Sequence, residues 1–147
     1  MSKRFLLDLN VLIALLSEEH EHHRKANNWF ASLKRDEWGV CPLTEAGFVR
    51  IVTNPAMRFG GNSFHQAGAV LADLAARAGY RYWPITESWA SLTAPVAARI
   101  FGHQQVADAY LLGLAIKENG VLATFDKGIE FLAGTEFHKH VLLLETP

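Results

Sequence analysis

The chain has a single cysteine, Cys41, and it lacks long hydrophobic runs. One cysteine excludes an intramolecular disulfide and a thiolate metal cluster, and it suits a reducing compartment such as the cytoplasm. The longest uncharged apolar runs are too short to cross a bilayer. The first residues lack the basic start and long apolar core of a secretory signal. We therefore expect a cytoplasmic protein without a membrane-spanning segment.

Net charge is also nearly absent, because 14 lysines and arginines stand against 15 aspartates and glutamates. The molecule as a whole therefore does not attract a polyanion. Any binding of nucleic acid must come from a local basic patch or from metal ions that carboxylates hold. Repeats, low-complexity tracts and an interdomain linker are missing as well, so we expect residues 1–147 to form a single domain.

Two kinds of apolar segment alternate along the chain. Short continuous runs are typical of buried strands, and longer amphipathic stretches predict helices. Their alternation predicts a three-layer α/β/α fold in which helices cover both faces of a central, mostly parallel, five-stranded sheet. The predicted strands are Phe5–Leu7, Trp38–Cys41, Tyr80–Trp83, Val121–Thr124 and Val141–Leu144. The predicted helices are Val11–Leu16, His22–Lys34, Pro42–Thr53, Phe64–Ala78, Ala94–Ile100 and Gln104–Asn119.

Asp8 interrupts the apolar stretch from Phe5 to Leu16. The first part of this stretch predicts a strand and the last part a helix, for which Asn10 is a suitable N-cap. Asp8 then lies at the carboxyl end of the strand, where open α/β sheets bind their ligands. Taken alone, this carboxylate is either a helix cap or part of a site.

Three further acids occupy positions where an acid is costly or unusual. Asp108 is the only charge in the first turns of an otherwise apolar helix, where it is either solvated at the helix end or in need of a cation. Glu45 opens another helix, where the helix dipole or an ion pair with Arg50 is the alternative to a site. Asp126 follows the fourth predicted strand, in a sequence that is also typical of a turn.

The combination of these acids is more informative than any one of them. If the strands are parallel and the strand before Asp8 is central, all four acids can converge at one edge of the sheet. Four ionised carboxylates cannot share a small site without cations. Oxygen ligands without cysteine favour Mg²⁺ or Mn²⁺ over Zn²⁺. Such ions can activate a water for attack on a phosphodiester and stabilise the leaving oxygen.

Four short motifs contain these acids, namely Leu6–Ile13, Pro42–Glu45, Val106–Leu111 and Thr124–Asp126. In this order they resemble the successive motifs of PIN-domain ribonucleases. Together with Phe48–Ala56, they more narrowly resemble the VapC-type toxins of type II toxin–antitoxin pairs. The resemblance covers essentially the whole chain. It implies a PIN-like fold and a Mg²⁺- or Mn²⁺-dependent endoribonuclease that cuts structured RNA such as tRNA or ribosomal RNA.

The resemblance also implies partners and residue roles. The partners are a second copy of the chain, in a homodimer, and a small VapB-like antitoxin whose C-terminal segment enters the active-site groove. The acidic quartet, expected to be catalytic, consists of Asp8, Glu45, Asp108 and Asp126. Asp8 and Asp108 match direct metal ligands, and the other two acids match positions that act through water. Asn10 and Thr124 match polar positions that support the acids.

Basic and aromatic side chains offer possible contacts with RNA. Arg50, Arg58 and Lys127 are candidates for phosphate contact, with ordinary surface charge as the alternative. The four tryptophans can stack on bases, although packing in the core or in a dimer is favoured for them.

Two other functions remain open at this stage. A phosphatase or phosphotransferase would use Asp8 as a covalent nucleophile. Haloacid-dehalogenase-like enzymes, however, need a second aspartate where this chain has Asn10. A non-catalytic PIN-like module would only bind RNA or protein, and the presence of all four acids argues against it.

Overall fold

The computed structural model describes residues 2–144, so the ends of the predicted domain 1–147 lie outside the described residues. Its core is a parallel sheet with the strand order β2-β1-β3-β4. Leu6 pairs with Gly39 on one side and with Leu122 on the other, which places β1 inside the sheet. The strands are β1 (Arg4–Leu7), β2 (Glu37–Gly39), β3 (Val121–Thr124) and β4 (Val141–Leu143). The predicted α/β class and parallel sheet are confirmed.

The sheet has four strands rather than five, and the predicted strand at Tyr80–Trp83 is wrong. This segment is held beside β2, because two of its backbone N–H groups donate to the carbonyl oxygens of Trp38 and Val40. Only one bridge, between Trp38 and Tyr80, forms along it. Since β2 is just three residues long, it offers too little edge for a fifth strand to pair with.

Helices cover both faces of the sheet. Within residues 2–144 they are α1 (Leu9–Leu16), α2 (His23–Ala31), α3 (Pro42–Thr53), α4 (Phe64–Ala75), α5 (Trp89–Thr93), α6 (Val106–Lys117) and α7 (Lys127–Ala133). The segment predicted as a helix at Ala94–Ile100 is a 3₁₀ helix over Ala94–Arg99, and α5 and α7 were not predicted. In the same part of the chain, no helix has both the length and the apolar character that crossing a membrane requires.

The N-cap of α1 is Asp8 and not Asn10, so the predicted cap is wrong. The Asp8 carboxylate accepts a hydrogen bond from the N–H of Leu9 at 2.7 Å. The backbone carbonyl oxygen of Asp8 accepts one from the N–H of Leu12 at 3.1 Å. The helix therefore begins at Leu9, two residues earlier than expected. Asn10 lies within the first turn, where its side chain is available for contacts across the sheet.

Side chains of the central strands alternate between two cores. Phe5 and Leu7 pack with residues of α1, α2, α3 and α4 on one face. Leu6 and Leu122 pack with residues of α6 and α7 on the other face. This arrangement gives the expected three layers, and it leaves the carboxyl edge of the sheet as the place where strand ends and helix starts meet.

Candidate metal and active site

Four different elements carry the candidate acids to the carboxyl edge of the sheet. Asp8 directly follows β1, and Asp126 follows β3 by two residues. Helix α3 comes after β2, so its first turn, with Glu45, starts at this edge. Helix α6 leads back into β3, so its first turn, with Asp108, also lies at the edge where β3 ends. The edge predicted from the sequence is therefore the edge observed.

The Thr124 hydroxyl lies at the centre of a hydrogen-bond network between β1 and β3. It donates to Asp8 Oδ2 at 2.7 Å and accepts the backbone N–H of Asp126 at 2.9 Å. Asn10 adds two longer contacts, with Nδ2 donating to Thr124 Oγ1 at 3.4 Å and Oδ1 accepting the N–H of Phe125 at 3.3 Å. Thr124 and Asn10 thereby hold Asp8 and Asp126 in fixed relative positions.

Asp126 has a second structural role as the N-cap of α7. Its Oδ1 accepts the N–H of Gly128 at 2.7 Å. From the sequence, the alternative to a site role for Asp126 was a turn residue ahead of a glycine. The observed hydrogen bond from Gly128 agrees with that alternative. The residue is nevertheless exposed at the edge of the sheet, so its carboxylate can also reach a ligand there.

Three of the acids interact through their charges. Burial raises the pKa of Asp8, the charge of Asp126 adds to this rise, and the hydrogen bonds from Thr124 and Leu9 oppose it. Burial, together with the charges of Asp8 and Asp126, raises the pKa of Asp108 to about 7. Asp8, Asp108 and Asp126 therefore share one region, which a bound cation would stabilise in the ionised form.

Glu45 lies at the rim of this region. Burial raises its pKa, and its charge in turn contributes to the raised pKa values of Tyr80 and Tyr82. The charge of Glu45 thus acts on the two tyrosines beside β2, whereas the charge of Asp126 acts on Asp8 and Asp108, and the charge of Asp8 acts on Asp108. A role through an intervening water suits this position better than direct contact with an ion at Asp108.

The donor set fits a hard divalent cation with few protein ligands. Among residues 2–144, no three His, Cys, Asp or Glu side chains are close enough to hold one ion together. Mg²⁺ commonly keeps several of its waters and is bound through only one or two carboxylates, so a cage of three is not required. Carboxylate oxygens with raised pKa values and no sulfur ligand match this preference.

The three basic candidates are spread over the surface. Lys127 directly follows Asp126 and is exposed beside the acids. Arg50 is exposed in the last turn of α3, away from the first turn that carries Glu45. Arg58 is less available, because its Nη2 donates to the carbonyl oxygen of Glu19 at 3.1 Å.

A cleft of about 320 Å³ on the α1 side of the sheet was not foreseen from the sequence. Most of its lining is apolar and comes from α1, α3, α4 and the loop between α3 and α4, including Ile13, Phe48, Val52, Phe59 and Val70. No local pattern marks this cleft, because helices distant in sequence form it. The only signal was the glycine-bearing loop at residues 56–63.

Stacked rings connect this cleft with the acids. Phe59 in the cleft wall stacks on His20 with ring centroids 5.6 Å apart. His22 stacks on Phe125 at 4.8 Å, and Phe125 is the neighbour of Asp126. The cleft and the acidic edge are therefore adjoining parts of one surface.

Comparison with known proteins decides the family. The profile of the PIN domain matches residues 5–134. The chain belongs to the PIN-domain family. Among the curated relatives of this PIN domain, Ribonuclease VapC38 of Mycobacterium tuberculosis is 41% identical over 128 residues, covering 87% of this chain and 89% of the relative. The resemblance to VapC-type proteins is thus confirmed.

Solved structures share the fold of this PIN domain. VapBC2 from Rickettsia felis, bound to a DNA fragment from its promoter, superposes with a TM-score of 0.64 at 13% identity, covering 97% of this chain and 98% of that one. VapC20 of Mycobacterium tuberculosis, a Sarcin-Ricin loop cleaving toxin, gives 0.60 at 14% identity, covering 86% and 92%. At these identities the likeness concerns the fold alone.

Proposed function

We propose that this PIN domain is a metal-dependent endoribonuclease, with Mg²⁺ or Mn²⁺ as the ion, and the toxin of a toxin–antitoxin pair. The observation that carries the proposal is the meeting of Asp8, Asp108 and Asp126 at the carboxyl edge of the sheet, where burial and neighbouring negative charge raise the pKa values of Asp8 and Asp108. No cationic side chain of the described residues lowers the pKa of Asp8 or Asp108. The function also agrees with the family, since PIN-domain VapC ribonucleases generally depend on a divalent metal.

The four acids are proposed to hold the ion, and Thr124 and Asn10 are proposed to position the acids. Asp8 and Asp108 would hold the ion directly, and Glu45 and Asp126 would act through water. When bound, the ion supplies an activated water and stabilises the leaving oxygen of the phosphodiester. The Thr124 hydroxyl and the Asn10 amide keep Asp8 and Asp126 at the same edge. The supporting groups are buried or half-buried, so they hold this geometry before RNA arrives.

Structured RNA, either tRNA or ribosomal RNA, is the proposed substrate. The fold neighbour VapC20 cleaves the sarcin-ricin loop, which supports ribosomal RNA as one candidate. Lys127 is the basic residue next to the acids and is proposed to contact phosphate, with Arg50 and Arg58 as more distant contacts.

The proposal is tested with purified full-length chain and total RNA. We expect cleavage with Mg²⁺ or Mn²⁺, its loss with EDTA, and its return when the ion is added in excess. Sequencing of RNA 5′ ends after induction then identifies the target. Cleavage that is indifferent to EDTA would contradict the metal role. A phospho-aspartate trapped at Asp8 would instead favour a phosphotransferase, and RNA binding without cleavage under any divalent ion would favour a non-catalytic module.

A VapB-like antitoxin is the proposed partner, and the cleft between α1, α3 and α4 is its proposed docking site. The fold neighbours are VapBC complexes. The apolar lining suits an apolar segment of the antitoxin, and the ring pairs Phe59–His20 and His22–Phe125 lie between this cleft and Asp126, which supports a docking site close to the acids. We also propose that residues 1–147 act as one PIN domain, in the cytoplasm, and as a homodimer. The support for the homodimer is the resemblance to VapC-type proteins.

Replacing Val70 by arginine should weaken binding of the antitoxin from the adjacent reading frame by about tenfold or more, because an unpaired charge would be buried in the cleft. Val70 lines the cleft and is partly exposed. Ala72→Arg is the control, since it adds the same charge to an exposed position of the same helix outside the cleft lining. Surface plasmon resonance measures both affinities. Equal affinities of the two variants would place the antitoxin elsewhere.

A further inference from the structure

Tyr82 lies at the acidic edge of the sheet, in the extended segment beside β2. The N–H of Trp83 donates to the carbonyl oxygen of Val40 at 3.0 Å, and α3 begins two residues after Val40. Trp83 packs into the core shared with α6. Because side chains of extended backbone alternate, Tyr82 faces the opposite side, on which α3 and Glu45 lie.

The electrostatics agree with this placement. Burial raises the pKa of Tyr82, and the charge of Glu45 raises it further. The hydroxyl therefore stays neutral across the physiological pH range. Tyr82 thus brings a neutral ring to the side of one of the candidate acids.

The ring of Tyr82 is left outside the core. Tyr82 is 43% exposed, whereas Tyr80 packs edge-on against Trp38 with ring centroids 5.3 Å apart. Arg81, which directly precedes Tyr82, is ion-paired with Glu37, with Arg81 Nε 3.0 Å from Glu37 Oε2. The Tyr82 ring is therefore accessible at this edge, beside the ion pair of Arg81 with Glu37 and next to the partly buried Tyr80.

RNA is the partner that this arrangement suits. Carboxylates repel phosphate groups, so the edge needs sources of affinity that do not depend on positive charge. An aromatic ring provides one, because every base has a π-face on which it can stack. Bases in loops and at ends of structured RNA are unstacked and available for such contacts.

We propose that Tyr82 is an RNA-binding residue whose ring stacks on a base next to the phosphodiester held at the acids. This inference rests on the proposed ribonuclease function. It adds a contact to RNA on the β2 side of the site, opposite the side on which Lys127 follows Asp126.

The test is RNA affinity in the full-length chain carrying Asp108→Asn, which slows cleavage enough for binding to be measured. The probe is a fluorescein-labelled RNA hairpin with an unpaired loop, in Mg²⁺, followed by fluorescence anisotropy. We expect Tyr82→Leu to weaken binding by roughly tenfold, since it removes the π-face while keeping apolar bulk. Tyr82→Phe should bind like the parent. In the cleaving chain, Tyr82→Leu should raise KM more than it lowers kcat.

Trp89→Leu is the matched control. Trp89 is 38% exposed. It begins α5, shortly after Glu87, which is ion-paired with Lys117 at the far end of α6. This aromatic residue therefore lies at the opposite edge of the sheet from the acids. Its replacement should leave RNA affinity unchanged.

The outcomes separate the two levels of the proposal. If the Asp108→Asn chain binds the hairpin and the chain without that substitution cleaves RNA, but Tyr82→Leu binds as well as Tyr82→Phe, the assignment of Tyr82 is overturned and the ribonuclease function stands. A shift of Tyr82→Leu to a smaller species in gel filtration also overturns it and assigns the ring to a protein interface. If the Asp108→Asn chain does not bind the hairpin and the chain without that substitution does not cleave RNA, the proposed function itself fails.

Discussion

Replacing Asp108 by asparagine should lower RNA cleavage roughly 10²–10³-fold, because a directly bound cation lowers the activation barrier by several kcal/mol. The residue lies in the first turn of α6, and its raised pKa reflects burial and the charges of Asp8 and Asp126. Asparagine has the same shape without the charge. The fold should therefore be retained while the direct contact with the ion is weakened.

Cleavage assays with Mg²⁺ measure this effect, and circular dichroism checks the fold. Asp73→Asn is the matched control, because Asp73 is an exposed acid on α4 and away from the site. Asp8→Asn is the second variant, since asparagine still caps a helix and the N–H of Leu9 keeps its partner. We also expect expression of the parent chain to slow growth and both site variants to relieve it. Full cleavage activity in a chain carrying both substitutions would rule out the assignment.

The position of the acidic edge could be predicted because its signals are local. Buried apolar runs mark β1 and β3; Asp8 follows β1 directly, and Asp126 comes two residues after β3. Once the sheet is parallel, the ends of neighbouring strands must meet at one edge. The same reasoning places the starts of α3 and α6 there, which is why Glu45 and Asp108 were found together with the other two acids.

The details that could not be predicted depend on non-local contacts. Asn10 and Asp8 are both good N-caps by composition. Asp8 takes the cap, and Asn10 reaches across to Thr124 and Phe125, 114 and 115 residues away. The apolar residues of Tyr80–Trp83 resemble a strand, but the short β2 limits their pairing. The cleft depends on how three helices pack, which the pattern of any one of them does not contain.

The position of Glu45 is a third example of this limit. Its sequence context is that of the other acids, an acid opening a helix at the carboxyl edge. However, α3 follows the outer strand β2, whereas Asp8 and Asp126 follow the adjacent strands β1 and β3. The lateral order of strands therefore separates the acids into a central group of three and a fourth at the rim, and this order cannot be read from local patterns.

The stability of the metal-free chain should fall as pH rises from about 4 to about 7. Asp108 has a folded-state pKa of about 7, against 3.8 for an unperturbed aspartate. Between these values the folded state binds a proton that the unfolded state has released, so raising the pH favours unfolding. Asp8 acts in the same direction, because its pKa is also raised. Allowing for the solvent that reaches half-buried Asp108, we expect a loss of about 1–2 kcal/mol from this residue.

Mg²⁺ should reverse this loss, and more strongly at pH 8 than at pH 5, because it binds the ionised carboxylates. An ion present at about 100 times its dissociation constant adds roughly 2.7 kcal/mol to the free energy of unfolding. Urea denaturation at the two pH values, with EDTA or Mg²⁺ at equal ionic strength, measures both effects. Asp108→Asn is the control, since it lacks the titrating group and should show a smaller pH slope and a smaller gain from Mg²⁺. If NaCl stabilises the parent as well as Mg²⁺ does, the acids do not form a specific cation site, and their repulsion is relieved by ordinary screening alone.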